Sequence, residues 1–199
     1  PVLYYSLKAF EDSAVDEIVL VVGKGEEEFC RKEIVDKYGI SKVKAIVEGG
    51  KERYHSVFEG LKQTSDADYV LIHDGARPFV NQDIIRRCMQ EVQKYQACVV
   101  GMPVKDTIKI ADEEGYAKQT PDRKNVWMIQ TPQTFSYALI YEAYEEMLKT
   151  EDTAITDDAM VLERIKGKKS KLIEGSYRNI KITTPEDLLI ANVYLQHPE

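Results

Sequence analysis

The chain has 199 residues, 43% of them apolar and 31% charged, which is enough to build one core and suits a single globular domain over residues 1–199. Its formal net charge of −7 argues against a broad nucleic-acid-binding surface, so any anionic ligand needs a local cluster of Lys and Arg. No apolar run approaches the roughly 20 residues of a membrane span, no secretory pattern opens the sequence, and Cys30, Cys88 and Cys98 lack the spacing of a zinc site or a disulfide framework.

Residues 1–10 read as an amphipathic helix with Leu3, Leu7 and Phe10 on one stripe. An α/β domain that opens on a helix is expected to have a strand ahead of it, so an N-terminal piece is expected to be missing. From there strand and helix signals alternate, as in an α/β fold with a mostly parallel sheet flanked by helices. The pattern predicts strands over 18–22, 43–47, 69–73 and 97–103, separated by helices over 26–38, 52–62 and 81–95. Residues 106–111 and 116–120 alternate polar and apolar side chains around the turn Asp112-Glu113-Glu114-Gly115. They predict a hairpin arm at about 105–124, expected to pack on a second subunit rather than stand alone. Two turn-forming polar pairs are expected in 130–135. Helices over 136–148 and 157–166 follow, then a strand over 171–174. A last helix starts at Thr184-Pro185-Glu186-Asp187, which carries an N-cap, a proline at the first helical position and a capping-box acid.

The segment VLIHDGARPF, residues 70–79, is the most informative. A buried strand runs into a turn holding Asp74 and Arg77, and ligands of α/β folds sit just beyond such strand ends. These residues could hold a metal ion and an anion side by side, or simply pair with each other. His73, at the end of the strand, reads as structural. In GGKERYHSV, residues 49–57, two glycines precede a helix whose free N–H groups point back toward the same space, and Arg53 and Ser56 share a face of that helix. The alternative is an ordinary strand-to-helix turn. Gly23-Lys24-Gly25 is not a phosphate loop, because three glutamates follow at once. Thr156-Asp157-Asp158 reads as a helix cap with acids in the first turn. Arg77, Arg123 and Lys181 fall at expected loop ends and could surround phosphates. No Ser-His-Asp arrangement or acid/base pair stands out, which suits chemistry carried by positioning and charge.

Taken in order, GGKERYHSV, VLIHDGARPF, PVKDTIK, TPDRKNVW, QTPQTF, TDDA and NIKITTPEDL resemble the 2-C-methyl-D-erythritol 4-phosphate cytidylyltransferases. The resemblance runs from Gly49 to Leu188. It implies a Rossmann-like nucleotidyltransferase fold and transfer of a cytidylyl group from CTP to methylerythritol phosphate with Mg²⁺, releasing pyrophosphate. Carried over, Asp74 binds Mg²⁺ and sits near the α-phosphate. Gly50 and Ser56 contact the cytosine and Gly75 the ribose, with Arg53 and Thr131 among the substrate-binding residues. Arg77, Thr107, Arg123 and Lys181 hold the sugar-alcohol phosphate, and Arg123 and Lys181 aim it at CTP. The arm is expected to swap across a homodimer, so that Arg123 serves the neighbour's site. The implied partners include neither a nucleic-acid polymer nor a membrane, and the implied location is the cytoplasm, with plastid stroma also open.

Three departures stand out. The family's N-terminal strand and its glycine-rich loop, with an Arg and a Lys for the CTP phosphates, have no counterpart between Pro1 and Gly23, so the chain as printed is expected to be impaired. Lys51 stands where an acid often follows the two glycines. Arg178 precedes Asn179 where an acidic or small polar residue is common; an extra cation there could repel a metal or add a phosphate contact. Two other readings fit part of the pattern: a ribitol-5-phosphate cytidylyltransferase, and a non-catalytic dimeric nucleotide-binding module. Asp106-Thr107-Ile108-Lys109, together with Asp122-Arg123 and Trp127, leans toward the methylerythritol enzyme.

Overall fold

In a computed structural model, which describes residues 1–150 and 154–197, helix α1 (Val2–Glu11) buries Leu7 and Phe10 as its stripe predicts. Strand β1 (Ile18–Val22) pairs in parallel with β2 (Val43–Glu48), and the helix between them, α2 (Glu27–Cys30), continues as a wider π-helical turn over Arg31–Asp36. Helix α3 (Arg53–Leu61) leads to β3 (Tyr69–Ile72), and α4 (Gln82–Tyr95) leads to β4 (Ala97–Pro103). Asn81 caps α4 by accepting the Ile84 N–H at 2.9 Å. The arm carries β5 (Ile110–Ala111) and β6 (Ala117–Gln119), which pair only with each other. Strand β7 (Trp127–Ser136), α5 (Tyr137–Met147), α6 (Asp158–Lys166), β8 (Lys171–Glu174) and α7 (Pro185–Gln196) complete the order.

The larger sheet runs β3-β7-β4-β8. Strand β8 is parallel to β4, while β7 is antiparallel to both β3 and β4, the one reversed strand of an otherwise parallel arrangement. Ala97 to Met102 are all buried, as a central strand covered on both faces requires. One apolar cluster joins β4 and β7 to α5 and α6; a second joins β4 to α4 on the opposite face.

The polar pairs in residues 130–135 do not form turns. They are the buried middle of β7. The reason lies in their side chains: Gln133 donates to Asp157 at 3.0 Å and accepts from the Ala159 N–H at 2.9 Å, and Gln130 donates to the Ser176 carbonyl at 2.8 Å. Each amide replaces its lost water with a protein partner, so the strand carries polar residues through the core.

Between β1 and β3 lies a groove of about 890 Å³, lined by every residue of both strands. The Ile18 N–H and the Val22 carbonyl bond toward β2, so strand alternation turns the backbone groups of Val19 and Val21 into the groove. The Asp68 carbonyl bonds toward β7, so Tyr69 and Leu71 face the groove from the other side. Its lining at the carboxyl end of the strands includes Gly23, Arg53, Ser56, Asp74 and Gly75, where ligands of this architecture bind.

Candidate active site

Asp74 lies two residues beyond the end of β3, and its loop is tightly held. The Arg77 N–H donates to the Asp74 carbonyl at 2.9 Å, the Ser6 hydroxyl of α1 donates to the Gly75 carbonyl at 2.8 Å, and the Asp74 N–H donates to Thr131 Oγ1 at 3.1 Å. Thr131 is 4% exposed, so its hydroxyl sits beneath the loop and fixes Asp74 from below. Three cations converge on the Asp74 carboxylate: Lys181 Nζ at 3.0 Å, Arg53 Nε at 3.3 Å and Arg77 Nε at 3.7 Å. Burial pushes the Asp74 carboxyl up, but Arg53, then Lys181 and Arg77, hold it below the usual carboxylate range.

Lys181 reaches Asp74 because its segment is pinned on both sides. The Ile182 N–H donates to the Ala76 carbonyl at 2.8 Å, and the Asn179 carbonyl accepts from Arg77 Nη1 at 2.8 Å. Asn179 is fully buried and donates to the Thr131 carbonyl at 2.9 Å. Arg77 Nε is buried and makes no hydrogen bond; its charge faces the Asp74 carboxylate at 3.7 Å. Sequence reasoning singled out Asp74, Arg77 and Lys181, and the fold brings them together.

Arg53 is more deeply engaged than a surface arginine. Its two Nη atoms donate to the two oxygens of Asp158 at 2.9 and 2.8 Å, and Tyr144 Oη donates to the same carboxylate at 2.6 Å. Burial lowers the basicity of Arg53, and the Asp158 carboxylate more than restores it, so the guanidinium stays charged. Burial, then Asp158, drives the Tyr144 phenol well above its ordinary value. Neither Asp158 nor Tyr144 was singled out as a site residue, because a first-turn acid reads as an ordinary helix-dipole partner and a helical tyrosine as core.

Beside this cluster, Val21 to Lys24, Glu48 to Lys51 and Ser56 line a second cavity of about 570 Å³. Ser56 Oγ accepts the Gly50 N–H at 3.1 Å. A Cβ at Gly50 would lie 2.3 Å from the Cβ of His55, so the close turn into α3 requires glycine there. Thr107 and Arg123 lie on the exposed arm, and Arg123 Nη1 donates to the Lys105 carbonyl at 3.3 Å; neither is bonded to the Asp74 cluster within its own chain. Arg178 turns away from the site: it donates to the carbonyls of Tyr194 and His197 at the end of α7 and stacks on the Tyr194 ring. It therefore serves that helix terminus.

His73 is structural, as expected. Its Nε2 lies 3.1 Å from the Arg77 carbonyl and its Nδ1 3.0 Å from Thr131 Oγ1, an arrangement that a neutral imidazole protonated at Nε2 satisfies. Burial pushes its pKa down to about 4, against the pull of those hydrogen bonds. The unfolded chain therefore takes up a proton near the ordinary histidine value, while the folded chain takes it up only near 4. Stability should fall by about 3 kcal/mol as the pH drops through that interval. Urea midpoints measured at steps of pH should show this slope in the parent protein and lose it in His73→Gln.

Residues 1–197 match the family model described as IspD, 2-C-methyl-D-erythritol 4-phosphate cytidylyltransferase. The protein of that name from Lachnospira eligens is 54% identical over 198 residues, covering 98% of this chain and 87% of the relative. Among solved structures, the 4-diphosphocytidyl-2C-methyl-D-erythritol synthase of Anaerococcus prevotii superposes with a TM-score of 0.90 at 39% identity, covering 98% of this chain and 86% of that one. The 2-C-methyl-D-erythritol 4-phosphate cytidylyltransferase of Thermus thermophilus gives 0.82 at 32%, with 98% and 89% covered. A site built around Asp74 at the strand ends, a profile match along nearly the whole chain and this level of identity agree: the chain belongs to the 2-C-methyl-D-erythritol 4-phosphate cytidylyltransferase family.

Proposed function

We propose that this protein transfers the cytidylyl group of CTP to 2-C-methyl-D-erythritol 4-phosphate, and that the cavities beside Asp74 are where the two substrates meet. The observation that carries this is the ring of Lys181, Arg53 and Arg77 around one carboxylate. Two polyanions repel strongly in a partly buried site, and cations gathered there offset that repulsion. A phosphate oxygen of the methylerythritol phosphate attacks the α-phosphorus of CTP in line. A new P–O bond forms, the bond from the α-phosphorus to the bridging oxygen breaks, and pyrophosphate leaves with that oxygen. No protein group has to remove a proton, because the attacking phosphate oxygen is already anionic.

The residues divide by position. Gly50 and Ser56, in the smaller cavity, hold the cytosine, and Gly75 lies against the ribose. Lys181 and Arg77, both paired with Asp74 here, take phosphate oxygens. The donor set also suits Mg²⁺. Among the described residues no three acidic, histidine or cysteine groups cluster, but Mg²⁺ beside a triphosphate needs only one or two carboxylates and takes its other ligands from phosphates and water. Asp74 would hold it, and the ion would add charge neutralisation and alignment at the α-phosphate.

A homodimer completes the site in this reading. The arm exposes Ile110 and Tyr116, and α7 exposes Leu189 and Val193, apolar surfaces that a second copy would cover. The root of the arm is held where Lys105 Nζ sits 3.6 Å from the centre of the Tyr177 ring and Tyr177 Oη donates to the Pro103 carbonyl. The arm would carry Thr107 and Arg123 to the neighbour's methylerythritol phosphate. A cytoplasmic location suits three unpaired, buried cysteines, and no helix among the described residues is long and apolar enough to cross a membrane.

Incubating the native protein with CTP, Mg²⁺ and methylerythritol phosphate, and following the reaction by phosphorus NMR, tests the activity. The expected result is a diphosphate doublet pair together with pyrophosphate. Consumption of ribitol 5-phosphate instead would overturn the substrate assignment, and consumption of neither would favour a binding module.

A further inference from the structure

We infer that Asp158 is a positioning residue for this reaction: by holding both Nη atoms of Arg53 it fixes the guanidinium that also touches Asp74, and so keeps the Asp74 carboxylate available to a metal ion. The inference rests on the reading of Asp74 as the metal-binding carboxylate.

Asp158 is 0% exposed and touches neither cavity, so it acts through Arg53 alone. The end-on, two-pronged face of the guanidinium, formed by its two Nη atoms, is spent on Asp158 at 2.9 and 2.8 Å. Of the other N–H groups it is the Nε–H that meets Asp74, at 3.3 Å, a single and longer contact. Arg53 is thus placed between two carboxylates and divided unequally between them. The division is locked from the Asp158 side. Tyr144 Oη donates to Asp158 Oδ1 at 2.6 Å, and Gln133 fastens the start of α6 through the Ala159 N–H and the Asp157 carboxylate. Gln133 lies on β7 opposite Ile72, two residues before Asp74, while Thr131 on the same strand holds the Asp74 backbone. One strand therefore sets the distance between the two carboxylates that share Arg53.

The consequence is specific. Without the charge of Asp158, the two-pronged face of Arg53 is released, and the nearest remaining carboxylate is Asp74. A guanidinium paired to Asp74 through two hydrogen bonds competes with a divalent cation, whereas one held to a single Nε contact yields more easily. A residue that merely stabilised the fold would leave metal affinity unchanged once the protein was folded.

Native protein without nucleotide, titrated with Mn²⁺ and followed by the electron paramagnetic resonance signal of the free ion, tests this. Asp158→Asn should weaken Mn²⁺ binding by about tenfold. Removing the competitor as well, in Arg53→Met with Asp158→Asn, should return the affinity to within about twofold of the parent. An unchanged affinity in Asp158→Asn, or a double variant as weak as the single, overturns the inference. Tyr144→Phe keeps the charge of Asp158 but loosens its hold; it should show a smaller loss of the same sign and covers the case in which Asp158→Asn does not fold. Asp74→Asn separates the two claims. Binding that survives in that variant overturns the metal assignment and the inference with it; binding lost there but unchanged in Asp158→Asn overturns the inference alone. A second readout needs no metal: the Arg53 Nε–H resonance, sharp in the parent, should broaden in Asp158→Asn.

Discussion

Asp74→Asn is expected to lower kcat by about a thousandfold or more, the largest loss of any single substitution in this protein. The amide keeps the size of the side chain but removes the charge that three cations surround. It therefore removes the metal-binding group and leaves Lys181, Arg53 and Arg77 facing one another. The same change should cost about 2–4 kcal/mol of folding stability, because it strands cations around a side chain only 15% exposed. The stability cost has a pH signature. The folded-state pKa of Asp74 is depressed by its cationic neighbours, so its contribution is complete above the ordinary carboxylate range and is lost as pH falls through the folded value. Urea denaturation at neutral and acid pH should show a gap between parent and variant that narrows toward acid. A gap of constant size would mean that the ring of cations does not depend on the Asp74 charge.

Arg123→Ala is expected to lower turnover by about a hundredfold while leaving the melting temperature unchanged, because its side chain is exposed on the arm and, among the described residues, bonds only the Lys105 carbonyl. Its more telling property is complementation. If the arm serves the neighbouring site, a heterodimer of Arg123→Ala and Asp74→Asn contains one site with an intact Asp74 and an intact partner arm. Random mixing of the two variants would restore about one site in four, since half of the dimers are mixed and half of their sites are whole. Mixing two inactive preparations should thus give roughly a quarter of the parent activity. No recovery in confirmed heterodimers would put Arg123 in its own chain's site or in none.

Much of this architecture is legible from local sequence. The run in β1 is β-branched and closed by Gly23, the run in β4 is small and apolar, and β1, β4 and β8 fall where the pattern puts them. The start of α7 is equally plain, since Thr184, Pro185 and Asp187 each suit their own place in the cap. Strand β7 was hidden for a physical reason. Gln130, Thr131, Gln133 and Thr134 have the composition of a loop, and partners far along the chain let Gln130, Thr131 and Gln133 be buried. The site divides in the same way. Asp74, Arg77 and Lys181 sit in motifs whose chemistry is visible locally. The pairing of Arg53 with Asp158 joins residues 105 positions apart, and no periodicity or cap rule can connect them. Thr131 was placed among the ligand-binding residues, but its buried hydroxyl is bonded to His73 and the Asp74 backbone. Arg178 left two outcomes open in the sequence; the fold adds a third role, bonding to the end of α7.

The central claim is that Asp74 exchanges its protein cations for a metal ion while those cations turn to phosphate oxygens. A crystal structure of the native protein with CTP and Mg²⁺ tests it most directly. The account predicts the ion on the Asp74 carboxylate, Lys181 Nζ drawn off Asp74 toward a phosphate, and cytosine in the cavity beside Gly50 and Ser56. A structure with the triphosphate bound elsewhere, and with the Lys181–Asp74 and Arg53–Asp74 pairs intact, would contradict it.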